Sequence, residues 1–476
     1  MKPDHVMADF AYVESFVRLT ADGAVSVVHE AGLRREAIDR LIRDAVFGSV
    51  ERRAAARWLI WEIGQALGVR PASIHDFYIA RGRGDVPTDF TVPAMNLRGI
   101  AYDMARAVFR AALKLDVGAL ICEIARSEIG YTDQRPGEYT AAMVAAAIKE
   151  GFRGPLFIQG DHFQVSAKEF ARAPDKEVSA VRDLITEAIH AGFYNIDVDT
   201  STLVDLNQVE LTEQQRQNYQ VSSALTAFIR SLETEGVTIS VGGEIGEVGG
   251  KNSTEPELRA YMDGYDTSLS QFDGDLVGLS KVSIQTGTSH GGVVLPDGTL
   301  ADVKIDFDTL HRLSHVATEE YGLAGAVQHG ASTLPDSAFR KFAEVGACEV
   351  HLATGFQNLI YEHEALPAEV RENAYAYIKE HHADEWKEGQ TEDQFIYKTR
   401  KKAFGGVKSD WWGISDDALR EIGAALEEKF AFLFEQLNVT NTRTMVDQFV
   451  EAPEIHKTPE DFAPQAELKM AKDLAD

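Results

Sequence analysis

The sequence predicts an α/β protein built on a closed (β/α)8 barrel, with helical extensions before and after it. Eight short β-rich segments alternate with amphipathic helical segments between residues 90 and 354. This alternation is typical of parallel strands joined by crossover helices. The segments span about 265 residues, close to the roughly 250 residues of such TIM barrels. A doubly wound open sheet is the alternative, but no glycine-rich dinucleotide-binding motif follows the first strand.

Each predicted strand is a short apolar run followed by a helical pattern. The strands lie at 90–96, 117–124, 155–161, 194–200, 238–245, 281–288, 323–330 and 348–354. The helical periodicity is clearest in AYDMARAVFRAALKL, VSAVRDLITEAIHAG, EQQRQNYQVSSALTAFIRSLE and FDTLHRLSHVATEEYG.

Both ends of the chain exceed what a barrel needs. Residues 1–88 form a predicted helical N-terminal extension, which ends where RGRGDVPTD interrupts the helical pattern. Residues 89–364 form the barrel and catalytic domain. Residues 365–476 form a charged helical C-terminal extension, with DDALREIGAALEEKFAFLFEQL as its clearest helix. We expect the extensions to enlarge a subunit interface or to cover the active-site mouth.

Composition and charge limit the classes of function. The chain has 47 Lys and Arg against 75 Asp and Glu, a net charge of −28, which disfavours nucleic-acid or membrane-surface binding. Only two cysteines are present, Cys122 and Cys348, in apolar runs that predict small buried side chains rather than a disulfide framework. With no signal-peptide or membrane-spanning pattern, we expect a cytoplasmic protein, and homo-oligomerisation on general grounds.

Polar residues stand at the predicted carboxyl ends of several strands, where the active site of such a barrel forms. His162, His290 and His329 stand at the ends of three different predicted strands. Three neutral imidazoles bind a divalent ion and leave a coordination position open for substrate. The carboxylates between them are Asp161, Asp197, Asp199 and Glu244. Glycines beside the histidines, Gly291 among them, would let backbone N–H groups approach a phosphate.

Several segments, in the same order along the chain, resemble the class II, metal-dependent fructose-bisphosphate and tagatose-bisphosphate aldolases. The resemblance covers about residues 90–360. The segments are VPAMN (92–96), GDH (160–162), NID (195–197), EIGEVGG (244–250), GTSHG (287–291), VKIDF (303–307), HGAS (329–332) and EVHLAT (349–354). A lysine and Phe-Gly segment, KKAFGG (401–406), is similar to one near that family's C-terminus.

The resemblance implies a metal centre and a reaction. His162, His290 and His329 would hold the metal, with Zn²⁺ expected and Co²⁺, Mn²⁺ or Fe²⁺ also suited to such ligands. Glu244 would be a catalytic residue at or near that metal, and Asp197 would lie close to a second metal ion. Asp161 would be the acid/base on the C4 hydroxyl of the substrate.

The implied reaction is reversible cleavage of a small phosphorylated ketose, of the fructose or tagatose 1,6-bisphosphate type, to glycerone phosphate and an aldehyde. The implied contacts to substrate and phosphate are Asn96, Gly291, Ser332, His351 and Thr354.

The sequence also departs from the family pattern. Lys251–Thr254 follow the double glycine where the family carries acidic residues, and no lysine follows His290 closely. His351 stands where an asparagine is expected. Two alternatives therefore stay open: a metal-dependent sugar-phosphate isomerase or epimerase, and a non-catalytic partner subunit of an aldolase.

Overall fold

Eight parallel strands close into a barrel, which confirms the predicted fold class. The computed structural model describes residues 6–7, 9–20, 24–246, 251–287 and 305–462 of the chain. The strands are β1 (Val17–Leu19), β2 (Val25–Val27), β3 (Val69–Ala72), β4 (Val92–Asn96), β5 (Ile121–Ala125), β6 (Gly154–Gln164), β7 (Asn195–Asp199), β8 (Ser240–Glu244), β9 (Lys281–Ile284), β10 (Ala326–Gln328) and β11 (Glu349–Leu352). Strands β4 to β11 pair in sequence order, and β11 pairs with β4 to close the barrel.

Helices connect the strands and form the extensions. The α-helices are Glu30–Gly32, Ile38–Phe47, Val50–Leu67, His75–Gly82, Ala101–Leu115, Arg126–Tyr131, Pro136–Glu150, Ala167–Arg172, Pro174–Ala191, Leu211–Ser231, Glu255–Leu269, Phe307–Tyr321, Phe339–Glu344, Thr354–Glu362, Ala368–His381, Glu392–Thr399, Ala403–Gly406, Lys408–Trp412, Asp416–Gln436 and Arg443–Phe449. Short 3₁₀ helices span Ser201–Leu203, Asp336–Ala338, Ala383–Glu385, Arg400–Lys402 and Pro459–Phe462, and a π-helix spans Leu33–Ala37. Within the described ranges, no helix combines the length and apolarity that crossing a membrane requires.

All eight predicted barrel strands are present, although their ends differ. The second begins at Ile121 rather than at residue 117, because the amides of Gly118 and Ala119 donate to the hydroxyl of Thr442, both at 3.1 Å. A residue of the C-terminal extension thus takes up donors that a strand would otherwise use. Cys122 and Cys348 are free and buried, as predicted.

The N-terminal extension is less purely helical than predicted. Strands β1 and β2 form an antiparallel hairpin, and β3 adds to the outside of the barrel by pairing with the first four residues of β6. The valines in both strands of the hairpin favour extended backbone. The boundaries at residues 88 and 364 stay a prediction.

The two extensions pack on each other and on the barrel. The indole N–H groups of Trp58 and Trp61 donate to the carbonyls of Lys457 and Ile455, at 2.8 and 2.6 Å. On another face, the helix Asp416–Gln436 packs against the barrel helix Ala101–Leu115. Both extensions therefore belong to the outer layer of the same fold.

The helix His75–Gly82 closes the amino-terminal end of the barrel. Arg81 is fully buried and donates to the carbonyls of Phe90, Ala324 and Ala347, which lie just before or near the starts of β4, β10 and β11. Tyr78, from the same helix, donates its hydroxyl to Glu349 on β11. The N-terminal extension thus covers the end of the barrel opposite to the mouth.

We predict that His75 makes the protein sensitive to mild acid. Burial lowers the pKa of His75 to about 4, with Arg230 and Arg83 adding to the effect. Between about pH 6.5 and pH 4, His75 is protonated in the unfolded chain but neutral in the folded chain. The free energy of unfolding therefore decreases as pH falls through that window. The loss should be about 2 kcal/mol between about pH 7 and pH 5.

Chemical unfolding curves of the wild type and of His75→Gln at the two pH values measure this effect. The wild type should lose about 2 kcal/mol more than the variant does. Equal losses in both proteins would contradict the prediction.

Candidate metal centre

A β-bulge in β6 organises the mouth of the barrel. The pairing of β6 with β7 shifts register between Gly160 and Phe163, so Asp161 and His162 leave the regular ladder. His162 has a φ of 40°, in the left-handed region that residues with a Cβ adopt at a cost of roughly 1 kcal/mol or more. A Cβ on Gly160 would lie 2.4 Å from the Phe163 ring, so glycine is needed there. Bulges redirect side chains near active sites, and this one presents two consecutive polar residues.

Three imidazoles meet around Asp161. The ring centroids of His162 and His329 lie 4.1 Å apart, and those of His329 and His351 lie 4.0 Å apart. Oδ1 of Asp161 lies 3.1 Å from His351 Nδ1, 3.3 Å from His329 Nε2 and 3.8 Å from His162 Nε2. The structure thus brings together two of the three predicted metal-binding histidines. His290 and Gly291 lie outside the described residues, and His351 is the third imidazole of this cluster.

Two further carboxylates lie beside His162. Its Nδ1 is 3.1 Å from Oδ2 of Asp199 on β7 and 3.3 Å from Oε2 of Glu244 at the end of β8. Glu244 therefore stands next to a predicted metal ligand. The other oxygen of Asp199, Oδ1, accepts a hydrogen bond from the hydroxyl of Ser201 at 2.7 Å, which fixes the carboxylate in place.

Asp197 lies in a deeper layer. Its carboxylate oxygens are 2.9 and 3.0 Å from Nζ of Lys281, the first residue of β9. His351 Nε2 is 3.6 Å from Asp197, so this layer is connected to the mouth. The structure places Asp197 near the centre, paired with a lysine.

Burial and mutual repulsion change the ionisation of these groups. Burial and the neighbouring Asp199 together raise the pKa of Glu244 to about 8. Burial and Asp161 likewise raise the pKa of Glu123 to about 8. Burial opposes the charge on Asp161 too, but His162 and His351 hold the pKa of that carboxyl well below its usual value. Asp161 is therefore ionised throughout the neutral range.

The donor set fits a divalent metal ion. Asp161, His162 and His329 place one ligand atom each within 4.8 Å of one another, as do His162, Asp199 and Glu244. All of these residues are buried, so their imidazole and carboxylate atoms are shielded from bulk water. Such nitrogen and oxygen ligands suit Zn²⁺ and the neighbouring first-row ions.

A cavity of about 70 Å³ adjoins this cluster. Its lining includes four predicted substrate contacts, namely Asn96, Ser332, His351 and Thr354. Two cationic side chains, Arg98 and Lys401, line the same cavity beside Asp161 and His329. Arg98 is buried and is held by Glu128 and by the hydroxyl of Tyr131, 2.9 Å away.

Sequence reasoning missed several members of the site. Glu349, one of them, stands two positions before His351 in a fully buried strand, and that spacing would have indicated an inward-facing pair. No comparable pattern marks Arg98, which follows β4 in a loop. Lys401 belongs to the KKAFGG segment, and only the packing of the C-terminal extension shows that it reaches the cavity.

At its mouth the closed barrel carries a buried cluster of histidines and carboxylates that could hold a metal ion, at the end where the active sites of such barrels lie. Residues 87–404, about two thirds of the chain, match the family model described as fructose-bisphosphate aldolase class-II. The chain belongs to that family. None of the curated proteins compared matches it.

Solved structures align with most of this chain at low sequence identity. Fructuronate-tagaturonate epimerase UxaE from Cohnella laeviribosi aligns with 90% of this chain and 90% of its own, at 11% identity and a TM-score of 0.56. Fructose-bisphosphate aldolase from Campylobacter jejuni aligns with 79% of this chain and 98% of its own, at 16% identity and a TM-score of 0.45. A probable tagatose 6 phosphate kinase from Sinorhizobium meliloti aligns with 78% and 96%, at 16% identity and a TM-score of 0.49.

We predict that His162 and His329 are required for metal binding. Replacing either with alanine removes an imidazole from the cluster around Asp161, which should weaken divalent-ion affinity by more than about 100-fold. Titration of the chelated protein with Co²⁺, followed by visible absorbance, measures this affinity.

His315→Ala is the matched control, because His315 is exposed on the helix Phe307–Tyr321. Its affinity should equal that of the wild type. Wild-type affinity in His162→Ala or His329→Ala would show that the metal is held elsewhere.

Proposed function

We propose that this chain is a metal-dependent aldolase that reversibly cleaves the C3–C4 bond of a phosphorylated ketose. The products are glycerone phosphate and an aldehyde, and the substrate is of the fructose or tagatose 1,6-bisphosphate type. The observation that carries the proposal is the ionised Asp161 carboxylate, placed among three imidazoles at the mouth of the barrel. Membership of the class II aldolase family supports it.

The residues that would hold the metal are His162 and His329, with His290 as the third ligand by resemblance. Glu244 lies beside His162 and would stay close to the ion. Zn²⁺ is the proposed ion. When bound, a divalent ion supplies positive charge that stabilises the oxyanion formed as the carbon–carbon bond breaks.

Asp161 would move the proton at the C4 hydroxyl. Its low pKa keeps it available as a base, and its bulged position places it at the lining of the cavity. A carboxylate within hydrogen-bond reach of that hydroxyl accepts its proton as the C3–C4 bond breaks and returns it in the reverse direction.

The walls of the cavity would hold the phosphate. Ser332 accepts a hydrogen bond from the amide of Ala353 at 2.6 Å, which fixes it beside the amino end of the helix Thr354–Glu362. A helix amino end presents free N–H groups that favour anions. Arg98 and Lys401 add positive charge on the same cavity. A small phosphorylated sugar as ligand and homo-oligomeric assembly are parts of this proposal.

A second candidate is a metal-dependent epimerase, in which the aldehyde turns in place and the same bond forms again. The observation in its favour is the extent of the likeness to the fructuronate-tagaturonate epimerase structure, 90% of both chains. The tenth of this chain that the alignment omits is shorter than either extension, so the alignment takes in part of both.

Product analysis of the purified protein separates these candidates. Native, chelated and Zn²⁺-restored protein is incubated with each of four substrates. Two are bisphosphates, fructose 1,6-bisphosphate and tagatose 1,6-bisphosphate, and two are uronates, fructuronate and tagaturonate. We expect glycerone phosphate to be released, to stop with the chelator and to return with Zn²⁺. Formation of an isomeric sugar without release of glycerone phosphate would instead establish the epimerase. No conversion of any of the four substrates would favour the partner-subunit alternative.

Two variants test the proposed roles of Asp161 and His290 in the same assay. Asp161→Asn should lower kcat by about 10²- to 10⁴-fold, the usual contribution of a positioned base. His290→Ala should lose both metal and cleavage. Asp183→Asn, an exposed helix carboxylate, is the control. Full activity in either site variant would contradict the proposal.

The pH profile should depend on Lys401. Burial and the neighbouring Arg98 together lower the pKa of Lys401 to about 7. Its ammonium form, which attracts a phosphate, is therefore lost as pH rises through about 7. We expect kcat/KM to fall about tenfold per pH unit above that point.

Arginine stays protonated, so Lys401→Arg should lose this alkaline decline. Lys402→Met should keep it, because Lys402 is paired with Glu385 at 2.7 Å. The prediction fails if the wild type and Lys401→Arg decline over the same pH range.

A further inference from the structure

A buried lysine lies beneath the proposed metal centre. Lys281 is the first residue of β9, and only 1% of it is exposed. Its Nζ lies 2.7 Å from Oε1 of Gln159, 2.9 and 3.0 Å from the two oxygens of Asp197, and 2.5 Å from Oε1 of Glu349. The three N–H donors of an ammonium are thus shared among four oxygen atoms.

These oxygens belong to a cluster that could bind a metal ion. Asp197, Glu349 and His351 place one ligand atom each within 4.8 Å of one another. Carboxylate and amide oxygens at this density are typical ligands of hard divalent cations. The ammonium of Lys281 therefore stands where the surrounding residues would otherwise hold an ion.

The same cluster is connected to the mouth of the barrel. Glu349 Oε1 lies 2.7 Å from His351 Nε2, and His351 Nδ1 lies 3.1 Å from Asp161. Tyr78 donates to the other oxygen of Glu349. The lysine thus fixes Glu349, which fixes the imidazole that contacts the proposed base.

We infer that Lys281 is the resident cation of a second cation position, so that the barrel takes one divalent ion at its mouth and none below it. This inference rests on the metal centre of the proposed function. It replaces the expectation, drawn from the family resemblance, that Asp197 serves a second metal ion. Lys281 acts as a positioning residue, because it reaches Asp161 only through Glu349 and His351.

Removing the ammonium should open a metal site. In Lys281→Ala, Asp197 and Glu349 lose their cation and gain the volume that the side chain filled. After chelation, reloading with Mn²⁺ and removal of free ion, native mass spectrometry should find about one ion per wild-type chain and about two per Lys281→Ala chain. Mn²⁺ should also raise the Tm of Lys281→Ala more than that of the wild type.

Three further variants test whether the additional ion binds at the position of Lys281. Lys281→Ala with Asp197→Asn should return to about one ion, because a charged ligand is lost. Lys281→Met should also bind about one, since methionine fills the position without leaving room for an ion. Lys408→Ala, which removes a lysine paired with Glu138 at 2.7 Å, is the matched control and should gain none.

The outcomes separate this inference from the proposed function. About two ions in the wild type, or no gain in Lys281→Ala, would overturn the role of Lys281 while leaving the metal centre at the mouth intact. No ion in the wild type but one in Lys281→Ala would support the role of Lys281 and contradict the proposed metal centre. If Lys281→Ala does not fold, the counts for the wild type and Lys281→Met decide, and two ions in either would overturn the inference.

Discussion

The constraint on which the structure depends is the burial of six carboxylates inside one barrel. Glu123, Asp161, Asp197, Asp199, Glu244 and Glu349 are all buried. Two like charges 4 Å apart repel by about 4 kcal/mol even at an effective dielectric constant of 20. The fold therefore has to supply protons or cations to this interior. Lys281 offsets negative charge in the deeper layer, and the imidazoles, assisted in the proposed function by a divalent ion, offset it in the upper one.

The same balance of charge explains why the pKa values of His162 and His329 are shifted in opposite directions. Burial disfavours charge on His162, yet Asp161 and Glu244 raise the pKa of His162 well above its usual value. His329 stands between two other imidazoles, and burial and His351 hold its pKa well below the ordinary value. A row of three imidazoles thus contains both extremes of basicity. A neutral imidazole is the form that binds a metal, so the central ring is already suited to that role.

The barrel and much of its site could be predicted from the sequence. The eight strands alternate regularly with helices, and His162, His329, Glu244, Ser332 and Thr354 follow strands whose carboxyl ends converge in any such barrel. The hairpin β1–β2 and the strand β3 could not be predicted by helical periodicity, because each is only three or four residues long. The roles of Arg98 and Lys401 depend on long-range packing of a loop and of the C-terminal extension. The partnership of Asp197 with Lys281 required the register of β7, β8 and β9, which one sequence does not fix.

The hydroxyl of Tyr78 ties the N-terminal extension to the interior of the barrel. Tyr78 lies in the N-terminal extension, yet it donates to Glu349, whose other oxygen contacts both Lys281 and His351. Cutting the chain at the predicted boundary near residue 88 would leave a buried carboxylate short of a donor directly beneath the candidate metal centre. An exchange of extensions between relatives would carry the same penalty unless the incoming helix brought an equivalent hydroxyl. The N-terminal extension and the barrel are thus one structural unit, even though the sequence predicts a boundary between them.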